Sequence, residues 1–189
     1  NGDSDVSGGS DRFLLLSDRV LTSAGDIVLT FSGSAGTIDA SADATLDAGG
    51  SIIINAGLDV DDTALLTAGG SITLDGDFAA GFDATLNADD GITINGAFTA
   101  RDNIVLNADA NTSADGNDTI TLADGITVES TVGSVSFDSA TSALGVITVL
   151  AANGIDINDA FISLGLTTFN SDTDSNGTGT FTVAGSVLT

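Results

Sequence analysis

Apolar and polar residues alternate along most of the chain, and between Asp43 and Asp102 the alternation repeats every 20 residues without a gap. Five sets of residues share this step: Leu46, Leu66, Leu86 and Leu106; Ala48, Ala68, Ala88 and Ala108; Ile52, Ile72 and Ile92; Ile54, Leu74 and Ile94; and Leu58, Phe78 and Phe98. Within a repeat the apolar residues are spaced by two, which is the period of a β-strand. Gly, Asn and Asp separate these segments. The pattern predicts three short strands per repeat.

A strand of about five residues cannot bury its apolar side alone, but coils of three strands can stack at the strand spacing of about 4.8 Å. Each inward residue then lies on its own kind in the next coil, which is the arrangement of a solenoid. The sequence therefore predicts an all-β fold, a parallel β-solenoid of seven or eight coils of roughly 20 residues. An antiparallel sandwich is disfavoured, because it does not require identical residues at a fixed step.

The domain organisation follows from where the repeat holds. Residues 1–12 are expected to form a polar lead-in, and residues 13–189 a single solenoid. Leu21 to Leu29 fits the repeat 25 residues upstream, and Val149 to Phe161 reproduces the pattern of Leu86 to Phe98. The register between Ile120 and Thr141 is left open by one strand.

Two polar insertions, residues 109–118 and 171–179, interrupt the repeat. In the second, Asp172, Asp174 and Asn176 match the first half of a calcium-binding loop, in which alternate oxygen-bearing side chains face one centre. Val183 stands where an EF-hand has its glutamate, so an EF-hand is excluded. The two hypotheses for this segment are a partial calcium site and a solvated turn.

Other polar patterns have simpler explanations. Residues 116–120 and 9–13 match the end of a nonapeptide calcium-roll motif, but that motif binds calcium only when it repeats on adjacent turns, so plain loops are expected. A ladder that hydrogen-bonds along the stack is predicted for Asn55, Asp75, Asn95 and Asn158. An outward-facing column, with ordering of water as its weakest functional hypothesis, is predicted for Thr73, Thr93, Thr121, Thr127 and Thr148.

The net charge of the chain limits the kinds of molecule that it is expected to bind. The net charge is −24; Arg12, Arg19 and Arg101 are the only cations, and Glu129 is the only glutamate among 27 acidic residues. Such a chain is not expected to bind nucleic acid. Neighbouring coils bring carboxylates together, which is destabilising unless cations screen them. A secreted protein in high ionic strength or millimolar calcium fits this best, and a salt-adapted organism is the alternative.

The side chains available for catalysis are few. The chain has no His, Cys or Lys, which excludes histidine-based triads and amine nucleophiles. Adjacent aspartates such as Asp61 and Asp62 point apart on a strand. No enzymatic activity and no cofactor, calcium apart, are expected. The apolar run from Phe13 to Leu16 is too short to cross a membrane.

Strand-like sequence continues to the end of the chain. An open solenoid end exposes unpaired backbone groups, and such edges are normally covered. More of the same polypeptide or another copy is therefore expected to stack there. The residues predicted to form this end-to-end interface are Phe13, Leu15, Val183, Val187 and Leu188.

The repeat pattern A-T-L-x-A-x-G-x-I-x-[IL]-[ND]-x-x-[LF] resembles the repeats of filamentous-haemagglutinin-like proteins, which are large bacterial surface adhesins and exoproteins. The resemblance covers about Leu21 to Thr189. It implies a right-handed parallel β-helix, secretion across the outer membrane, and a role in adhesion, biofilm or filament building. The Asn-Pro motifs of that family's secretion domain are missing, since the chain has no proline. The resemblance therefore implies a shaft segment.

Three functional hypotheses follow. The first is a structural shaft or filament module of an extracellular, cell-surface protein. The second is a calcium-dependent binding module that recognises a glycan or a cell-surface partner through its Asp-rich insertions. The third, an Asp-based glycosidase, is disfavoured because basic residues are scarce and phenylalanine is the only aromatic type.

Overall fold

The computed structural model describes residues 12–15, 19–30, 36–113 and 116–188, with side chains from Val20 onward. Within these ranges the fold is all-β: 24 short strands form three parallel sheets of eight strands each. The lead-in was predicted for residues 1–12. Residues 1–11 lie outside the described part, and Arg12 already belongs to the first described strand.

The three sheets take every third strand of the chain. The first sheet contains β1 (Arg12–Leu15), β4 (Thr37–Ala40), β7 (Gly57–Val60), β10 (Phe78–Ala80), β13 (Phe98–Ala100), β16 (Thr127–Ser130), β19 (Ile147–Ala151) and β22 (Thr167–Asn170). The second contains β2 (Arg19–Ser23), β5 (Ala44–Ala48), β8 (Ala64–Ala68), β11 (Ala84–Ala88), β14 (Ile104–Asn107), β17 (Val135–Phe137), β20 (Ile155–Ile157) and β23 (Phe181–Val183). The third contains β3 (Ile27–Thr30), β6 (Ile52–Asn55), β9 (Ile72–Leu74), β12 (Ile92–Ile94), β15 (Thr119–Leu122), β18 (Ala140–Ala143), β21 (Phe161–Ser163) and β24 (Val187–Leu188).

Each coil runs through the first, second and third sheets before the chain enters the next coil, so there are eight coils of three strands. The turn from the first sheet to the second is called the first corner, that from the second to the third the second corner, and that from the third to the next coil the third corner. Parallel strands joined in this way follow the right-handed crossover rule. The chain is a right-handed parallel β-helix, as predicted.

The predicted ladders fill the interior. Leu46 pairs with Leu66, Leu66 with Leu86, and Leu86 with Leu106, and all four side chains are buried. The strands β9 to β13 bury alternate residues, as the period of two requires. Across the described residues the core is therefore one continuous apolar column.

The first coil confirms the predicted 25-residue step, because Leu21 pairs with Leu46 and Ile27 with Ile52. Residues 31–35, between β3 and β4, lie outside the described part. The strand β1 pairs with β4 and so belongs to the helix itself.

The second half of the helix corrects one expectation. Leu86 lies on β11 of the second sheet, but its sequence counterpart Val149 lies on β19 of the first sheet. The Val149–Phe161 pattern is therefore displaced by one sheet relative to Leu86–Phe98. The three sheets enclose the same core and need the same alternation, so an identical pattern can lie on any of them.

The displacement changes how phenylalanines pack. In the middle of the helix, Phe78 and Phe98 form a ladder on the first sheet, with ring centroids 4.3 Å apart and an interplanar angle of 4°. In the last coils Phe161 of the third sheet contacts Phe137 of the second at 5.5 Å and Phe169 of the first at 5.3 Å. Aromatic contacts thus cross the core there.

Candidate functional site

Aspartate side chains at the corners join successive coils. At all three corners, a carboxylate of one coil accepts a hydrogen bond from a backbone N–H of the next coil. The donor–acceptor pairs are Ser51 N to Asp26 Oδ1 (2.8 Å), Thr63 N to Asp43 Oδ1 (3.0 Å), Ala97 N to Asp77 Oδ1 (2.9 Å), Asn103 N to Asp83 Oδ1 (2.9 Å) and Val146 N to Asp124 Oδ1 (2.7 Å). Aspartate in a turn commonly bonds to its own backbone nearby, but these bonds link residues 20 to 25 positions apart.

Asp83 offers a test of this corner role, because it accepts bonds from both the backbone N and the side-chain Nδ2 of Asn103, at 2.9 and 3.0 Å. We expect Asp83→Ala to lower the free energy of unfolding by about 1 kcal/mol. The control Asp47→Ala removes the same charge from an exposed position on β5 and should have no such effect. Urea denaturation followed by circular dichroism measures both; equal effects would contradict the corner role.

The predicted Asn ladder is confirmed in part. Asn95 Nδ2 donates to Asp75 Oδ1 at 2.8 Å, at the third corner. Asn158 does not belong to this ladder. It follows β20 of the second sheet, and its Nδ2 donates to Asp138 Oδ1 at 2.7 Å. The one-sheet displacement thus also moves Asn158, and the Asn158–Asp138 pair lies at the second corner.

The two insertions leave the helix at different corners. Residues 109–118 lie at the second corner, between β14 and β15, and residues 171–179 lie at the first corner, between β22 and β23. Asn107 anchors the first insertion, since its Oδ1 accepts bonds from Asp109 N at 3.1 Å and Ser139 Oγ at 3.2 Å. Of the two segments that match the end of the calcium-roll motif, residues 116–120 lead into β15, and residues 9–11 of the other lie outside the described part.

The candidate calcium residues come together in the second insertion. Asn176 N donates to Asp172 Oδ1 at 3.1 Å and to Asp174 Oδ1 at 3.2 Å, so two carboxylates share one donor. Asn176 Nδ2 also lies 2.6 Å from Asp174 Oδ2, and Gly177 N lies 3.1 Å from Asp172 Oδ2. A bound cation would compete with these bonds. Across the described residues, no three His, Cys, Asp or Glu side chains are grouped to hold a metal.

A groove of about 740 Å³ crosses the third corner and the outer face of the first sheet, and Asp59, Asp75 and Asp77 are among its lining residues. Two of these carboxylates already accept hydrogen bonds from the next coil, from Asn95 and Ala97. The groove is thus part of the corner network that joins the coils.

The outward column of the third sheet is confirmed for Thr73, Thr93 and Thr121, which pair in register and are neither fully buried nor fully exposed. On the first sheet, Thr127 pairs with Thr148 in the same outward manner. The hydroxyl groups therefore form two separate columns on different sheets. Neither column is a two-dimensional array.

The predicted end-to-end residues are placed in the first and last coils. Val183 and Leu188 are exposed, while Val187 is partly buried against the core. Phe13 and Leu15 lie on β1, but their side chains lie outside the description. Phe181, which sequence reasoning did not single out, pairs with the core residue Ile155 and is itself 47% exposed.

Sequence reasoning also missed a group of large apolar side chains at the third corner of the last coils. Leu144, Val146, Leu164 and Leu166 are all exposed. Their signal was present in the sequence, since Leu-Gly-Val and Leu-Gly-Leu recur 20 residues apart, at 144–146 and 164–166. It was overlooked because apolar residues were assigned to the core.

Comparison with models of known protein families, with curated proteins and with solved structures finds no match to this chain. Within the described residues, no helix has the length and apolar character needed to cross a bilayer. The assignment of function therefore rests on the architecture and on the resemblance of the repeats.

Proposed function

We propose that this chain is a structural shaft module of an extracellular bacterial surface protein, and that it extends by stacking end to end with further copies. The observation that carries the proposal is the register of the core. In the regular coils each inward side chain meets a similar one in the next coil, as Ile72 does with Ile52 and Ile92. A further coil would find the same contacts, so length can be added without a new kind of interface.

The last described coil supplies the contact surface for this extension. Phe181 and Val183 occupy inward positions of β23, paired with Ile155 and Ile157, yet both are exposed. An added coil would bury them and would satisfy the free edge of each sheet. The resemblance to adhesin repeats and the net charge of −24 support an extracellular setting.

Electron microscopy at increasing protein concentration, with calcium present, tests the proposal. We expect rods that lengthen in steps of about 35–40 Å, the height of eight coils at the strand spacing. Val183→Asp should abolish the lengthening, because it places a charge in the axial interface. The matched control Thr182→Asp changes the outer face of the same strand and should still form long rods. Single rods of one length at every concentration would contradict the proposal.

The second candidate function is calcium-dependent adhesion to a glycan or a cell-surface partner. The observation that favours it is the convergence of Asp172 and Asp174 on Asn176 N, which brings two like charges together. We expect calcium to raise the melting temperature of the wild-type chain and not that of Asp172→Asn/Asp174→Asn. Asp156→Asn, on β20, is the control. Equal melting temperatures of the wild type in calcium and in chelator would remove this candidate.

A further inference from the structure

Asparagine followed by glycine occurs four times in the chain, at residues 1–2, 95–96, 153–154 and 176–177. Such a pair is prone to lose the side-chain amide of its asparagine. Glycine has no Cβ atom, so its backbone N is unhindered when it attacks the asparagine Cγ. The first pair lies outside the described part. The other three have different surroundings in the fold, which predict different rates of amide loss.

The pairs at 95–96 and 153–154 are held between coils. In each, the asparagine and the residue after the glycine donate backbone hydrogen bonds to neighbouring coils. These bonds are Asn95 N to Leu74 O (2.9 Å), Ala97 N to Asp77 Oδ1 (2.9 Å), Asn153 N to Gly133 O (2.8 Å) and Ile155 N to Thr180 O (2.8 Å). Closing a five-membered ring would turn the peptide group between them and strain these bonds. The folded helix should therefore protect both pairs.

The pair Asn176–Gly177 is not restrained in this way. Both residues are exposed, and they lie in the insertion at residues 171–179. The hydrogen bonds that the structure gives to the backbone N–H groups of residues 176–178 all end on side chains within the insertion. A ring can therefore close here without breaking a bond between coils.

Each reacting atom of this pair has a polar partner suited to the reaction. Gly177 N, the nucleophile, donates to Asp172 Oδ2 at 3.1 Å, where a carboxylate can accept its proton. Asn176 Oδ1 gains negative charge during the attack, and it accepts hydrogen bonds from Thr178 N at 2.7 Å and from Thr178 Oγ1. Asn176 Nδ2, the leaving nitrogen, is oriented by Asp174 Oδ2 at 2.6 Å.

We propose that Asn176 is a self-modification site, at which the insertion catalyses the loss of its own side-chain amide. Gly177 N bonds to Asn176 Cγ as its proton passes to the Asp172 carboxylate. The Cγ–Nδ2 bond then breaks, and the leaving nitrogen takes that proton and departs as ammonia, which leaves a cyclic imide. Water adds to either carbonyl of the ring and the ring C–N bond breaks, with the nitrogen regaining a proton. The product is aspartate or isoaspartate at position 176.

The modification changes the charge of the second insertion. It adds a third carboxylate at position 176, two residues beyond Asp174 and four beyond Asp172. The reaction consumes only water and requires no partner enzyme, so its rate is set by the fold of the insertion. The site is independent of axial stacking, because the reacting atoms lie within one insertion of one chain.

Peptide mapping by mass spectrometry, over a time course at neutral pH with chelator present, tests the proposal on the whole chain. We expect Asn176 to lose its amide about tenfold faster, or more, than Asn95 and Asn153. In urea the three pairs should react at similar rates, because the fold no longer distinguishes them. Amide loss at Asn176 that is no faster in the folded than in the denatured chain would overturn the proposal. So would cleavage of the chain after Asn176 in place of amide loss.

Substitution of the proposed base separates self-catalysis from simple exposure. Asp172→Asn should slow amide loss at Asn176 about tenfold or more, and the remaining reaction should rise in proportion to hydroxide. The wild-type rate should depend less on pH, since the carboxylate takes the proton. Asp156→Asn, the control on β20, removes the same charge and should keep the wild-type rate and pH profile. Thr178→Val keeps the backbone donor and removes the hydroxyl group, so a smaller decrease is expected. An unchanged rate and pH profile in Asp172→Asn, or an equal decrease in the control, would overturn the proposal.

Discussion

Replacing Phe98 with alanine is expected to lower the free energy of unfolding by about 3–5 kcal/mol. Phe98 is fully buried, stacks on Phe78 at a centroid distance of 4.3 Å, and pairs with Val128 of the following coil. Its removal leaves a cavity that the rigid sheets around it cannot close. Each coil of a solenoid is held by its two neighbours, so the substitution also weakens the coupling between the coils on either side of Phe98.

Urea denaturation followed by far-ultraviolet circular dichroism measures this effect. A loss at the centre of the helix should also broaden the transition, as the coils on either side of Phe98 begin to unfold separately. Phe82→Ala is the matched control. Phe82 lies at an exposed corner beneath the guanidinium of Arg101, at 5.1 Å from its ring centroid, so its truncation should cost less than about 1 kcal/mol. Similar losses for the two phenylalanines would contradict the packing described.

Replacing Gly96 with valine should destabilise the chain by about 1–3 kcal/mol, the range for overpacking, or by more if the coils separate. A Cβ atom at Gly96 would lie against the carbonyl group of Gly76 and 2.7 Å from the backbone N of Asp77. Backbone atoms cannot rotate away as a side chain can. The neighbouring bond from Asn95 N to Leu74 O, at 2.9 Å, would have to lengthen.

Gly25→Val is the control for this prediction, since a Cβ atom there would meet nothing within 4 Å. Thermal unfolding of both variants, with hydrogen exchange at Asn95, distinguishes local from global loss. A lower melting temperature with faster exchange is expected for Gly96→Val alone. An unchanged melting temperature in that variant would show that the third corner is looser than the described backbone.

The ladders could be predicted from sequence because the repeat itself carries the register. A fixed step of 20 residues places Leu46 on Leu66 and Ile52 on Ile72 whichever way the chain turns, and the structure confirms both pairs. The predicted number of coils, seven or eight, followed from the same step, and the described chain has eight. The corners at which the two insertions leave the helix did not follow from it.

The displacement after Asn107 could not be predicted, for a physical reason. In a helix with three sheets around one core, each sheet needs the same alternation of apolar and polar residues. The segment that contains Val149 therefore fits the first sheet as well as the second. Only the lengths of the corners between Leu106 and Ala140 decide the phase, and these corners are irregular. The misplacement of Asn158 in the ladder follows from that single error.

The positions of the candidate polar residues could be predicted from sequence, but the contacts of the corner aspartates could not. The grouping of Asp172, Asp174 and Asn176 was predicted from spacing, and the structure brings them together around one backbone N–H. The coil-joining role of residues such as Asp83 was not predicted, because its partner Asn103 is a full repeat away.

The central claim, that the chain is one rigid stack of coils at strand spacing, is tested most directly by a distance between spin labels at Thr45→Cys and Thr182→Cys. Pairing in the second sheet puts both on one outward column, through Leu65, Thr85, Val105, Ser136 and Asp156. Six steps along that column predict a narrow distribution near about 29 Å. A broad distribution, or one centred far from this value, would contradict the account.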